Sequence, residues 1–474
     1  MSPVSTPLTD EPTDGQRARI LWLSTGSFTL MFAVWLMLGM LSIPIKNELG
    51  LTDGQLYNLT IAAILSGSLL RFNFGVWTDK FGGRRVLTAL LLLTVIPTVL
   101  VSQVENYTQL LICALMYGIA GNSFSIGIAW NAAWFPKNRQ GLALGIFGAG
   151  NVGASVTKLT GPFIIAAVPA AGLFGGFLPG GWRFIPLVYA ALLVVAATAV
   201  WFLAPKQDRC PAKGRSFGET TKPLSQLRVW EYCLHYVVVF GAYVAFSNLL
   251  PMYYYKNYGP ELASSFDLAP ELITNFKTIT NLKGAEYEAA VAAIPGAKAD
   301  LAYLNKWIGF FAAICFVFPA SLLRPLGGYL SDKIGAKVVM VAVFWSMLAS
   351  GLVLSLPLGL NVWMFTVFLF LLGAGMGIGK ASVYKLIPDY FPKDIGAVGG
   401  LVGMLGALGG VLIPLGVVPL QASTGMPQML FGVLLALTIV STAWFHLDIV
   451  FRKKGSKPET KDAIAQPQLA VTSS

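Results

Sequence analysis

Apolar runs about as long as a bilayer is thick recur along this chain, separated by short charged loops, and that recurrence leaves few folds open to it. A helix needs about 20 apolar residues to cross roughly 30 Å of hydrocarbon. Twelve runs meet that requirement, at 21–45, 56–77, 86–104, 109–133, 141–168, 182–204, 230–255, 307–330, 338–358, 362–387, 396–420 and 429–450. Only 12% of the residues are charged, about half the share of a soluble domain, which excludes an ordinary globular enzyme. A disordered chain is excluded by the amount of apolar surface. The net charge of +11 does not mark a nucleic-acid partner, because the basic residues lie in the loops between runs. Cys113, Cys210, Cys233 and Cys315 show no CxxC spacing, so neither a disulfide framework nor a metal site is expected, and no cofactor is called for. The polar, acidic first fifteen residues lack a small-residue cleavage site, and the first run reads as an uncleaved anchor.

Lysine and arginine set the orientation, since cytoplasmic loops carry the excess. With both termini inside, 21 of the 33 basic residues fall in inner segments, seven in outer segments and five within the runs. Both termini are therefore expected in the cytoplasm. Two loops are long. Residues 205–229 are basic and join the sixth and seventh runs. Residues 256–306 form an external insertion, in which AEYEAAVAAI suits a short helix.

The two halves repeat each other. Arg71-Phe-Asn-Phe-Gly-Val-Trp-Thr-Asp79-Lys80-Phe-Gly82-Gly-Arg84-Arg85 matches Arg324-Pro-Leu-Gly-Gly-Tyr-Leu-Ser-Asp332-Lys333-Ile-Gly335-Ala-Lys337 at a constant offset of 253 residues. Phe135-Pro136-Lys137 matches Phe391-Pro392-Lys393, and Gly150 and Gly153 fall opposite Gly406 and Gly409, at offset 256. Parallel six-helix repeats with a substrate site between them resemble the major facilitator transporters. The Gly-x-x-x-Asp-Lys-x-Gly-x-Arg/Lys loop, present twice, is similar to that superfamily's signature. The resemblance implies an all-α membrane protein of twelve transmembrane helices in two pseudo-symmetric halves, not an enzyme. Its parts are an N-terminal tail (1–20), a first half (21–204), a cytoplasmic linker (205–229), a second half (230–450) and a disordered tail (451–474). Asp79, Arg84, Asp332 and Lys337 would serve as gating-loop residues.

The five basic residues inside the runs are Arg71, Lys158, Arg324, Lys380 and Lys385, while no acidic residue lies well inside one, Glu231, Asp389 and Asp448 falling at helix ends. A charge in the bilayer costs at least ~2.5–3.5 kcal/mol and so faces the bundle interior with a partner. Arg71 and Arg324 each precede a loop aspartate by eight residues, about 12 Å along a helix, which puts both near mid-depth. Two guanidiniums without carboxylates suit a planar oxyanion; the structural alternative is a bond to carbonyls at helix breaks, which Pro325 could provide. Lys385 fits a snorkelling lysine at the inner interface, and Lys158 the same at the outer one. Lys380 suits either the substrate path or a structural bond. His235 and His446 are the only histidines; they make no metal site, and His235 is a candidate proton relay.

Glycines at spacings of three and four line the fifth run (Gly145, Gly148, Gly150, Gly153) and the eleventh (Gly399, Gly403, Gly406, Gly410). Close helix packing explains part of this; a side-chain-free surface also leaves room for a small ligand. Gly-Ala-Gly-Asn151-Val-Gly-Ala-Ser-Val-Thr, the glycine-rich eleventh run and the paired arginines together resemble the nitrate/nitrite porter family. That resemblance implies transport of nitrate, nitrite or both by alternating access in a bacterial cytoplasmic membrane, by a monomer. It assigns the anion to Arg71 and Arg324, its flat faces to Phe124 and Phe240, and further hydrogen bonds to Asn151 and Tyr236. Lys158, Lys380 and the longer external insertion depart from the exchanger pattern. They point to nitrate/proton symport, with Lys380, Lys158 and His235 as coupling candidates; nitrate/nitrite antiport is the alternative. Another small anion, or a sensor built on the same fold, stays open.

Overall fold

The computed structural model describes residues 11–169, 172–282 and 285–455. Among them the chain is helical apart from loops and one isolated bridge, Leu173 to Leu178. Eleven helical runs are long and apolar enough to cross a membrane: α1 (Asp14–Ser42), α2 (Gly54–Phe81), α3 (Gly83–Val101), α4 (Tyr107–Trp134), α5 (Lys137–Ile165), α6 (Gly181–Leu203), α7 (Leu227–Ser265), α8 (Ala297–Ser355), α9 (Val362–Tyr390), α10 (Ile395–Thr424) and α11 (Met429–Val450).

The count differs from the expected twelve because α8 takes in two of the apolar runs. Its 59 residues would reach about 90 Å as one straight helix, roughly three times the hydrocarbon core. Inside it Gly335 has φ 92° and ψ 135°, which no helix accommodates and which a side chain would oppose. Gly82 has φ 87° and ψ 148° at the junction of α2 and α3. The repeated loop therefore reverses the chain at a glycine in both halves.

Starts follow local chemistry. A capping box of Thr13 with Gln16 begins the first helix, earlier than residue 21, because its acceptor satisfies the orphan N–H groups. The last helix runs on to Gly455, past the end expected at 450; the rest of the tail lies outside the described residues. In the insertion, helices span Pro270–Asn281 and Ala285–Ala292, the second where the alanine-rich stretch predicts one; Lys283 lies outside the described residues.

The halves, α1–α6 and α7–α11, meet through glycine. A Cβ on Gly75 would lie 2.0 Å from the Gly396 carbonyl oxygen, and one on Gly328 would lie 2.0 Å from that of Gly141. α2 thus lies backbone to backbone against α10, and α5 against α8, as small residues permit. Both contacts lie towards the end that carries Gly82 and Gly335. Towards the opposite end, Leu38–Leu49, Gly153–Ala167 and Ala297–Ala312 pack mainly within their own halves.

Candidate functional site between the halves

Both arginines stand directly after a break in their helix. Leu70 (φ −88°, ψ −3°) separates Asp53–Leu69 from Arg71–Phe81, and Leu323 (φ −83°, ψ 1°) separates Phe318–Leu322 from Arg324–Leu330. Each break turns a long side chain into the contact between halves, where Arg71 is 0% and Arg324 1% exposed.

The guanidiniums reach across the pseudo-two-fold. Arg71 donates from Nε to the Gly67 carbonyl at 3.0 Å and from Nη1 to the Gly403 carbonyl of the other half at 3.1 Å. Arg324 donates from Nη1 to the Gly148 carbonyl of the other half at 3.0 Å and from Nη2 to the Tyr236 hydroxyl at 3.3 Å. Arg71 Nη2 and Arg324 Nε are buried with no partner in the protein. Among the described residues no carboxylate pairs with either arginine. The carbonyl alternative foreseen for them accounts for part of each guanidinium and leaves one donor of each unused.

The glycine faces make this approach possible. A Cβ on Gly148 would lie 2.5 Å from Arg324 Cζ, one on Gly145 2.5 Å from the Arg324 carbonyl oxygen, and one on Gly403 2.8 Å from the Tyr384 hydroxyl. Gly406 admits the Tyr236 ring, with a Cβ 2.3 Å from its Cδ1, and Gly399 is in ordinary contact with Tyr384. Gly150 and Gly153 instead meet α1, at Phe28 and Thr29, and Gly410 meets Val244 of α7. These three serve packing within a half.

Aromatic rings enclose the charges. The Phe124 ring lies 5.3 Å from Arg71 Cζ and 5.5 Å from Arg324 Cζ, within reach of a cation–π attraction. Phe240 lies 5.7 Å from Arg71 Cζ. The Phe124 and Phe240 rings are parallel to within 6°, with centroids 6.2 Å apart, and Tyr236 stacks on Phe240 at 5.0 Å. Two members escaped the sequence reading. Trp35 lies 5.0 Å from Arg71 Cζ, and Tyr384 donates to the Gly399 carbonyl at 2.9 Å while meeting Phe124 and Tyr236 edge-on. The one available signal was Tyr384's place one turn beyond Lys380.

Asn151 sits on a short 3-10 turn, Gly150–Val152, that interrupts α5. It is 1% exposed, and neither atom of its amide has a partner. A fully buried amide left unbonded costs ~1–3 kcal/mol, so it marks a place where something other than packing is served.

The coupling candidates scatter. Lys380 donates to the Ala320 carbonyl at 2.9 Å and sits 3.1 Å over the Tyr243 ring. It is held within the second half and bonds to neither arginine. The side chain of Lys158 lies outside the described residues. His235 faces away from the arginines, with Nδ1 2.5 Å from Ser441 Oγ and Nε2 3.3 Å from Glu231 Oε1. Glu231, read from sequence as a helix-end residue, is 1% exposed.

The loop aspartates cross the halves. Asp79 accepts from the Gly396 N–H at 2.8 Å, and Asp332 accepts from the Gly141 and Leu142 N–H groups at 2.9 and 2.8 Å. Lys385 pairs with Asp332 at 3.2 Å and Asp389 at 3.5 Å and donates to the Lys137 carbonyl; it is buried in the contact between halves, where a snorkelling lysine was expected. Arg84 stays in its own half, donating to the Trp201 carbonyl at 2.9 Å, and Lys337 lies 5.4 Å from the Tyr390 ring. The linker adds a further tie. Asp208 accepts from the indoles of Trp130 and Trp134 in the first half, and Arg215 pairs with Asp394 of the second half at 2.6 Å.

Comparison with known proteins agrees with this arrangement. The Major Facilitator Superfamily model matches residues 23–272 and 282–472. A "Probable nitrate/nitrite antiporter NarK1" from Thermus thermophilus is 49% identical over 92% of this chain and 92% of its own length. A "Nitrite extrusion protein" from Bacillus subtilis is 29% identical over 90% of this chain and 93% of its own. Among solved structures, the transporter FucP in its outward conformation aligns with a TM-score of 0.62 at 15% identity, covering 90% of this chain and 98% of that one. The human organic anion transporter MFSD10 aligns with a TM-score of 0.61 at 13% identity, covering 90% and 99%. At such identities these two speak for the fold alone. Twin loops, helices broken before twin arginines and relatives matched over nine-tenths of their length converge: the chain belongs to the Major Facilitator Superfamily and, within it, to the nitrate/nitrite porters.

Proposed function

We propose that this protein carries nitrate, with nitrite as a second substrate, across a bacterial cytoplasmic membrane by alternating access, and that Arg71 and Arg324 clamp the anion between the halves. One observation carries the assignment. Each guanidinium keeps one buried, unpartnered N–H group, and both face the same Phe124 ring. A flat guest between parallel rings needs about 7 Å, twice the carbon contact distance. The Phe124 and Phe240 centroids stand 6.2 Å apart, less than that distance, so an anion between the rings requires them to part. The Asn151 amide supplies a further donor.

Counting α8 as two crossings gives twelve, and the 21-to-7 distribution of basic residues supports a cytoplasmic position for both termini and for the end that carries Gly82 and Gly335. Each half supplies one arginine, so a monomer contains the whole site. Residues 205–229 then act as the linker between halves 21–204 and 230–450. Coupling to a proton would give net accumulation. Nitrate/nitrite exchange is the second reading, favoured by the name of the Thermus relative and by the lack of a carboxylate beside the arginines among the described residues.

Uptake by proteoliposomes tests both. Arg71→Lys and Arg324→Lys keep the charge but lose the forked donors, and each should cut nitrate uptake at least tenfold at normal expression. Near-normal uptake in either variant removes that arginine from the site. An imposed pH gradient, against internal nitrite with no gradient, separates symport from exchange.

A further inference from the structure

α7 presents three faces. Tyr232 and Tyr236 look toward the anion site and α9, and Trp230, Cys233, Leu234 and Val237 line an apolar groove beside α10 and α11. The remaining face carries Glu231 and His235, one turn apart, and it is closed over by α8 and α11. His235 is 0% and Glu231 1% exposed. Among the described residues, the one side chain that hydrogen-bonds to this pair is Ser441 of α11, through its Oγ. The rings of Phe344 and Phe445 stand edge-on to the imidazole at 5.2 and 5.3 Å.

We propose that Glu231, His235 and Ser441 form a proton-binding site, separate from the anion site, that takes up and releases one proton in each transport cycle. The proposal rests on the anion reading above and adds to it the proton's position. Loaded, the site is an imidazolium donating from Nε2 to the Glu231 carboxylate and from Nδ1 to the Ser441 oxygen, and its charges cancel. Unloaded, the proton has left Nδ1, the Ser441 hydroxyl donates to that nitrogen, and a single negative charge remains in an aromatic enclosure. A lone buried charge is costly, so the site holds its proton until water or a neighbouring base can take it. Asp448, on α11 and only half-buried, acts electrostatically on both Glu231 and His235 and lies between them and the inner end.

The other charges around the site are accounted for. Arg228 of α7 stacks on Tyr390 of α9 at 3.7 Å and Lys337 of α8 lies 5.4 Å from the same ring; both offset Asp448. In α9, Lys385 pairs with Asp389, and the Tyr384 hydroxyl is committed to Gly399. α10 carries no titratable side chain. His446 of α11 bonds to the Thr442 carbonyl, and Lys222 lies in the short turn that leads into α7.

The link to the anion site runs through the α7 backbone and one hydrogen bond. His235 is followed by Tyr236, whose hydroxyl accepts from Arg324, and then by a π-helical turn, Val237–Gly241. Such turns insert a residue into the helix ladder and mark places where it can shift register. A change of charge at His235 can thus move Tyr236 against Arg324, and an anion that draws Arg324 away acts back on His235 by the same amount. Lys380 donates to the Ala320 carbonyl and reaches the anion site through ring contacts, 5.6 Å from the Phe240 centroid, with no hydrogen bond to Arg324 or Tyr236.

Nitrate uptake and proton uptake, measured together in proteoliposomes, test this. A gradient of one pH unit, inside alkaline, should concentrate nitrate about tenfold through the wild type, since one unit is tenfold in proton activity. Glu231→Gln and His235→Gln should abolish that accumulation and the accompanying proton movement, yet keep nitrate/nitrite exchange, which also shows that they fold. Because the chain has two histidines, His446→Gln leaves one imidazole, and its ¹⁵N shifts should titrate and move when nitrate is added. Accumulation that still follows the gradient in both variants, a wild type indifferent to the gradient, or an imidazole that does not titrate overturns the proton site. Failure of the wild type to bind nitrate overturns the anion reading instead, while the imidazole titration would stand.

Discussion

A methyl group on Gly148 would have to share space with the Arg324 guanidinium, 2.5 Å from Cζ and Nε. Gly148→Ala should therefore displace the arginine and weaken nitrate binding about tenfold or more, at the ~1–3 kcal/mol typical of overpacking. Gly416→Ala, where nothing lies within 4 Å, should leave binding unchanged, and calorimetry on the two variants separates a clash from a general intolerance of alanine. Asn151 behaves differently. Its amide has no protein partner to lose, so Asn151→Ala should keep or raise the melting temperature while weakening nitrate binding about ten- to hundredfold, the ~1.5–3 kcal/mol of one hydrogen bond to an ion. A lower melting temperature with unchanged affinity would make it a packing residue. Arg71 and Arg324 were legible in the sequence because a guanidinium in an apolar run has to be explained. Trp35 and Tyr384 were not, since in a chain with 30 Phe, 16 Tyr and 12 Trp nothing in the spacing separates a ring against a guanidinium from a ring in the core. Glu231 was read as a helix-end residue because closure over it by α8 and α11 is a tertiary fact.

At the scale of the helices, the twin loops are latches that cross between halves. The Asp332 carboxylate takes the Gly141 and Leu142 N–H groups and also pairs with Lys385, while Asp79 caps the first turn of α10 at Gly396. A capping carboxylate is worth ~0.5–2 kcal/mol, aided by the positive end of the helix dipole. Asp332→Ala should accordingly shift the balance of conformers toward opening at this end by about tenfold. Spin labels at positions 80 and 333, near the ends of α2 and of the matching part of α8, would report it as a longer inter-label distance; an unchanged distribution would show that the backbone contact at Gly141 and Gly328 suffices. The repeat of the loop was plain in the sequence, but its partners were not. They lie 317 and 191 residues away, and they are backbone N–H groups, which no side chain advertises. The π-helical turns Val237–Gly241 and Ala313–Val317 were hidden for a related reason, because one extra residue in a turn leaves an apolar run looking the same.

Across the whole molecule, each arginine belongs to one half and donates to a glycine carbonyl of the other, Arg71 to Gly403 and Arg324 to Gly148. The site therefore exists only while the halves are together, and an anion held by the remaining N–H groups would stabilise that union. The sequence showed the symmetry through the 253-residue offset; that the two arginines would exchange bonds across it depended on helix breaks at Leu70 and Leu323, where the residues are ordinary leucines. The arrangement makes a thermodynamic demand. A ligand at one hundred times its Kd that binds only the folded, joined state adds about 2.7 kcal/mol of stability, so nitrate should raise the melting temperature of the purified protein measurably. Arg324→Lys should melt near the wild type when empty, because an ammonium can still reach the Gly148 carbonyl, and should show little shift with nitrate. Scanning fluorimetry with chloride at matched ionic strength isolates the specific term, since screening acts alike for both salts. Equal shifts with nitrate and chloride would place the anion outside the contact between halves, whereas a nitrate-specific shift lost in the lysine variant ties occupancy of the site to closure of the molecule.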